Sequence, residues 1–144
     1  MKLSARSRYG LRLMFRLALV SNQRAVQLSE IARLENLSEK YLGQIVIQLK
    51  NRGLVQSVRG ALGGYHLSRE ASQITAREVI EALEGTLDLL DGREKGPGFV
   101  TGDGIIDRLW EMLALRIRET LEEVTLRDLE NWYRKDNHAI SYEI

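Results

Sequence analysis

Residues 37–67 read LSEKYLGQIVIQLKNRGLVQSVRGALGGYHL, and this stretch decides the fold. Ser38 is a helix cap, because its hydroxyl can accept from the free N–H groups of a first turn. The helix it opens runs from Glu39 to about Arg52, and Gly53 closes it as a left-handed stop. Leu42, Ile45, Val46 and Leu49 form the buried stripe, which leaves Glu39, Lys40, Gly43, Gln44, Ile47 and Gln48 off it. Leu54-Val55-Gln56-Ser57-Val58 alternates and is β-branched, so it reads as a strand. Arg59-Gly60-Ala61-Leu62-Gly63-Gly64 is a turn with three glycines, and Tyr65-His66-Leu67 returns as the partner strand. Upstream, Ser29 is expected to cap a short helix, Glu30–Glu35, with Leu28, Ile31, Ala32 and Leu34 turned inward. Asn36-Leu37 is the turn. Two short helices joined by a tight turn and followed by a β-hairpin make a winged helix.

Around this centre the chain is helical. Residues 5–21 put Tyr9, Leu13, Leu17 and Val20 on one face, with Met14 and Ala18 beside them. Arg8, Arg12 and Arg16 recur every fourth residue, a basic ridge on another face. Thr75-Ala76-Arg77-Glu78 fits the capping box of a helix that continues through Val79, Ile80 and Leu83 to Gly85. Residues 85–104 hold six of the 12 glycines and the only proline, Pro97, a loop of unusual length for a compact domain. The longest helix is expected from Ile105 to Val124. Ile106, Leu109, Leu113, Ile117, Leu121 and Val124 form one stripe, and Ile105, Met112 and Leu115 widen it. A helix apolar on more than one side wants a second partner, so this one is assigned to dimerisation. Thr125 caps a last helix through Leu126, Leu129 and Trp132, and a tail is expected from 136 to 144. Trp110 and Trp132 are expected in the core.

The fold class is therefore mainly α with a small β-hairpin wing. Its parts are a winged helix-turn-helix DNA-binding domain over 1–84 (wing 54–67), a glycine-rich loop over 85–104, and the dimerisation and last helices over 105–135. The net charge of +1 conceals an asymmetry: residues 1–60 hold 11 Lys+Arg against three acids, and residues 61–144 hold 10 against 17. A basic first half suits a polyanion. No run approaches a membrane span, and the basic, interrupted N-terminus is not a secretory signal, so a cytoplasmic protein is expected.

Catalytic chemistry finds little footing. The chain has no cysteine and only two histidines, His66 and His138, with no ligand set beside them. Glu119, Glu122 and Glu123 share a helix with Arg116 and Arg118, where surface ion pairing accounts for them. No enzyme activity is expected.

On a nucleic-acid reading the labour divides. The helix from Glu39 enters the major groove by its N-terminal turn. Gln44 can bond an adenine edge in two places, Lys40 can reach guanine or phosphate, and Glu39 and Gln48 flank them. Ser38 and Tyr41 can donate to phosphates, although Tyr41 could equally pack within the domain. Arg59, with Gly60 beside it, suits a narrow minor groove. Arg6, Arg8 and Lys50 are candidate phosphate contacts.

Arg8-Tyr9-Gly10, Leu37-Ser38-Glu39-Lys40-Tyr41-Leu42, Gly53-Leu54-Val55 and Val58-Arg59-Gly60-Ala61-Leu62-Gly63-Gly64-Tyr65 resemble the Rrf2-type bacterial regulators. So do Ile74-Thr75, Glu84-Gly85 and Thr125-Leu126-Arg127-Asp128-Leu129, and the likeness spans nearly the whole chain. It is greatest to the family's iron–sulfur cluster regulators and its repressors of cysteine metabolism. The resemblance implies a homodimer on double-stranded operator DNA, with the long helix of each subunit crossing the other's. In the cluster regulators the glycine loop carries three spaced cysteines and a histidine that hold a 2Fe-2S cluster. Here those positions are Gly92, Gly98, Gly104 and Asp107. The spacing is kept and the thiols are gone, so no such cluster is expected in this chain. Three glycines on all three ligand positions favour a cluster regulator that has lost its ligands. The alternatives are a cluster-independent repressor of the cysteine-metabolism kind, or a winged-helix module that binds proteins. Gly43 stands where the cluster regulators commonly carry glutamate, so their operator preference does not transfer.

Overall fold

The computed structural model describes residues 3–20, 23–85, 87 and 103–142. Within them the order is α1 (Ala5–Leu19), α2 (Leu28–Glu35), α3 (Glu39–Asn51), β1 (Val55–Val58), β2 (Gly64–Leu67), a 3₁₀ turn (Ala71–Gln73), α4 (Ala76–Glu84), α5 (Asp103–Glu123) and α6 (Leu126–Tyr142). No helix among the described residues is long and apolar enough to cross a membrane.

The core gathers Leu13, Met14 and Leu17 from α1, Ile31 from α2, Leu42, Ile45 and Leu49 from α3, and Ile74 and Leu126 from the joins around α4 and α6. Each of these is at most 1% exposed. Gly10 is buried where α1 crosses α4, and a Cβ there would overlap the Leu83 side chain. The close crossing therefore depends on the missing side chain.

The entry to α2 differs from the sequence expectation. Helix α2 starts at Leu28 with Gln27 as its cap residue, and Ser29 makes no cap. Val26 is the cause. Its N–H and carbonyl both pair with Tyr65 at 2.8 Å, an isolated bridge beside the two-stranded wing, so the extended chain ends there and the helix departs at once. Leu34 faces outward at 44% exposure rather than inward, leaving Ile31 as the one buried residue of α2. Asn36 (φ 53°) supplies the left-handed turn into α3.

The join between the winged helix and the C-terminal helices is made by backbone. The Ala76 N–H donates to the Val124 carbonyl at 2.8 Å, and the Leu126 N–H donates to Ile74 at 2.9 Å. The capping box at Thr75–Glu78 forms in both directions. A second one opens α6: the Thr125 hydroxyl accepts from the Asp128 N–H, and the Asp128 carboxylate accepts from the Thr125 N–H at 2.8 Å. With no glycine or proline to stop it, α6 continues to Tyr142, through most of the segment expected to be a tail.

Helix α5 starts at Asp103, so Gly104 lies in its first turn rather than in the loop. Of its large apolar residues, Ile105, Ile106, Leu109, Trp110, Met112, Leu113 and Leu115 are all exposed, and Ala114 is the buried one. Trp110 and Trp132, expected in the core, are 47% and 55% exposed. None of the described residues covers them fully.

Candidate nucleic-acid interface

The N-terminal turn of α3 is built as its sequence demands. The Ser38 hydroxyl accepts from the Tyr41 N–H at 3.3 Å, which leaves its own proton free to donate. Glu39, Lys40, Gln44 and Ile47 project outward and exposed, and Gly43 lies between them. A Cβ at Gly43 would meet nothing within 4 Å. The outward face thus carries a notch with a long polar side chain on each side.

Tyr41 packs within the domain. It is half-buried, with its ring edge-on to Tyr9 at 5.9 Å. That contact brings the N-terminal half of α1 to the first turn of α3. Gln48 is half-buried too, and its Oε1 is buried without a hydrogen-bond partner, so its carbonyl end is withheld from the groove.

The basic ridge of α1 is divided. Arg6 and Arg8 are exposed. Arg16 instead donates to Glu35 at 2.7 Å, and Arg12 lies 3.9 Å from the same carboxylate while its guanidinium covers the Tyr9 ring at 5.6 Å. The end of α2 packs beside α1, and Glu35 pairs with Arg16 at the inner end of the ridge. Arg12 stays more than half exposed beside the same carboxylate.

The wing is a register-locked hairpin, Val55↔Leu67 to Val58↔Gly64. The Gly63 N–H donates to the Gly60 carbonyl at 2.9 Å and closes the tip. Gly60 turns at φ 107°, and Gly64 (φ 144°) lies so close to the Val26 carbonyl that a side chain would overlap it. Arg59 stands exposed at the base of this turn, and Leu62 at its tip is 92% exposed. Lys50 donates to the Ser57 hydroxyl at 2.9 Å, tying the end of α3 to β1. Helix α3 and β1 are thus joined by this side-chain bond and by the Leu54 N–H on the Leu49 carbonyl at 3.0 Å. Ile47 and Leu62 drew no assigned role from the sequence. For Ile47 the available signal was its helical angle, opposite the buried stripe.

The cluster-type positions offer one donor. Gly92 and Gly98 lie outside the described residues. Gly104 has no side chain, and Asp107 is a half-buried carboxylate one turn into α5. No group of three or more histidine, cysteine or acidic residues is arranged for a metal among the described residues. A 2Fe-2S cluster needs thiolate or imidazole ligands on both irons, and a chain without cysteine does not fit it.

A family model described as Rrf2, iron-dependent transcriptional regulator, matches residues 3–131. The chain is 37% identical to the HTH-type transcriptional regulator CymR of Bacillus subtilis strain 168, over the whole of both proteins. It is 35% identical to the HTH-type transcriptional regulator IscR of Cereibacter sphaeroides, covering 90% of this chain and 86% of that protein. The solved structure of CymR, the global cysteine regulator of B. subtilis, has a TM-score of 0.79 at 39% identity, covering 92% of this chain and 98% of that one. These relatives are transcriptional regulators rather than enzymes. With the winged helix, the capped α3 and the glycine-turned wing in place, the chain belongs to the Rrf2 family of DNA-binding transcriptional regulators.

Proposed function

We propose that this chain works as a homodimer that binds operator DNA without an iron–sulfur cluster. The observation that carries the reading is the joining of α3 to the wing, with Lys40 and Gln44 exposed on the helix and Arg59 exposed beside the glycine turn. Gln44 addresses an adenine edge, Lys40 a guanine or phosphate, and Glu39 guards the first turn. Ser38, Lys50, Arg6 and Arg8 hold phosphates, and Arg59 with Gly60 follows the minor groove. The exposed apolar residues of α5, with Ile106, Leu109 and Leu113 at their centre and Ile117 and Leu121 half-buried, supply the dimer seam.

The retained spacing of Gly92, Gly98 and Gly104 supports an origin in a cluster-binding loop. The full-length match to a relative described as a cysteine regulator supports a second reading, regulation of sulfur metabolism by a cluster-independent repressor. Both readings require metal-free protein to shift duplex DNA in a salt-dependent way, and binding that is absent or salt-blind would defeat them together. Cysteine restoration separates them. The combined Gly92→Cys, Gly98→Cys and Gly104→Cys protein, reconstituted anaerobically, should become coloured and hold iron and sulfide in equal amounts. A Cβ at 104 meets nothing within 4 Å, so that position accepts a side chain. A colourless product leaves the cluster-independent repressor.

A further inference from the structure

Ile47 is an outward side chain of α3 that the fold does not use. It is 58% exposed, whereas the helix's buried stripe is complete in Leu42, Ile45, Val46 and Leu49. A β-branched residue loses rotamer freedom in a helix, and here it also leaves apolar surface in water. Single exposed apolar residues are ordinary; the placement of this one is not. Lys40, Gly43, Gln44 and Ile47 stand at i, i+3, i+4 and i+7, one face of a helix over about two turns, which is how a groove-lying helix addresses successive bases. Ile47 follows Gln44 along that face, and one turn before it lies the empty notch at Gly43. A longer residue at 43 would stand beside Ile47 and compete for the same base edge. Glycine leaves the approach open.

In the major groove only thymine presents an apolar group, its 5-methyl. We propose that Ile47 reads a thymine methyl in each half-site, with Gly43 making room for the close approach, so that operator preference depends on a methyl contact next to the base addressed by Gln44. The inference rests on the DNA-binding reading above. It adds a specificity-determining residue that hydrogen-bond chemistry alone does not reveal.

The test uses the full-length protein and duplex sites selected by it from a random pool. Each thymine of a selected site is replaced in turn by deoxyuridine, which removes the methyl and keeps every hydrogen-bonding group. One symmetry-related pair of positions should weaken binding about fourfold when one half-site is changed and about fifteenfold when both are, the fold-change of a buried methyl acting once and twice. Ile47→Ala should weaken binding to the thymine site and abolish the difference between thymine and deoxyuridine. Because Ile47 is exposed, that variant should keep wild-type unfolding. A selected site with no deoxyuridine penalty, or an equal penalty in Ile47→Ala, overturns the inference while leaving DNA binding intact. A selection that enriches no site overturns both.

Discussion

At the scale of single residues, contacts to the two parts of DNA should separate by their effects. Arg59 is exposed beside the glycine turn, and the proposed role places it in the negative potential of a narrow minor groove. Arg59→Ala should therefore weaken sites with AT-rich flanks more than others. Lys50 is held beside the wing by Ser57, and on the reading proposed above its charge meets phosphate rather than base. Lys50→Ala should weaken all sequences alike and lower the salt slope by about one. Equal, sequence-blind losses in titrations on both kinds of flank would reduce Arg59 to another phosphate contact. Gly43 supplies the converse experiment. A side chain fits there without displacing anything, and a carboxylate can accept from the cytosine amino group. Gly43→Glu should move the selected site toward cytosine at one position per half-site, with discrimination of about 1–3 kcal/mol. An unchanged selected site would place residue 43 outside base contact.

At the scale of elements, the N-terminus of α1 is pinned to the end of α4 by one carboxylate. Glu84 accepts from the Ser4 N–H at 2.8 Å and from the buried Ser7 hydroxyl at 2.6 Å. Those hydrogen bonds from Ser4 and Ser7, helped by the charge of Arg6, hold its carboxyl below the usual glutamate range. A lowered folded value means that the stabilisation is complete above the usual range and is lost as pH falls through the folded value. Wild-type protein should therefore exceed Glu84→Gln in urea midpoint near neutrality, and the gap should close in acid. A gap that stays constant from neutral to acid pH would show that the carboxylate's charge contributes nothing there.

At the scale of the whole molecule, α5 carries the largest group of exposed apolar residues among the described ones. Leu113 is 46% exposed, so a charge there costs the isolated protomer little. In a symmetric seam the same change acts twice, at roughly 2–5 kcal/mol for each buried copy. Leu113→Glu should give a folded monomer by sedimentation, with operator affinity falling because the two half-sites are no longer linked. In the wild-type dimer the two α3 helices should address half-sites about 34–36 Å apart. An unchanged dimer in the variant would move the seam off α5.

The sequence by itself determined what is local. The cap at Ser38, the cap residues with their acidic partners at 75 and 125, the left-handed stop at Gly53 and the glycine turn of the wing each specify their conformation within a few residues. The helix-turn-helix and its hairpin follow from them. Tertiary structure decided what depends on distant neighbours. Val26 pairs with Tyr65 across 39 positions and so moved the start of α2 away from Ser29. Glu35 reached back to α1 and paired with Arg16 of the basic ridge, and Tyr9 packed against Tyr41. Helical periodicity placed Ile47 and the tryptophans on faces of their helices. Whether a face is covered depends on what packs against it, and that is set by the assembled molecule.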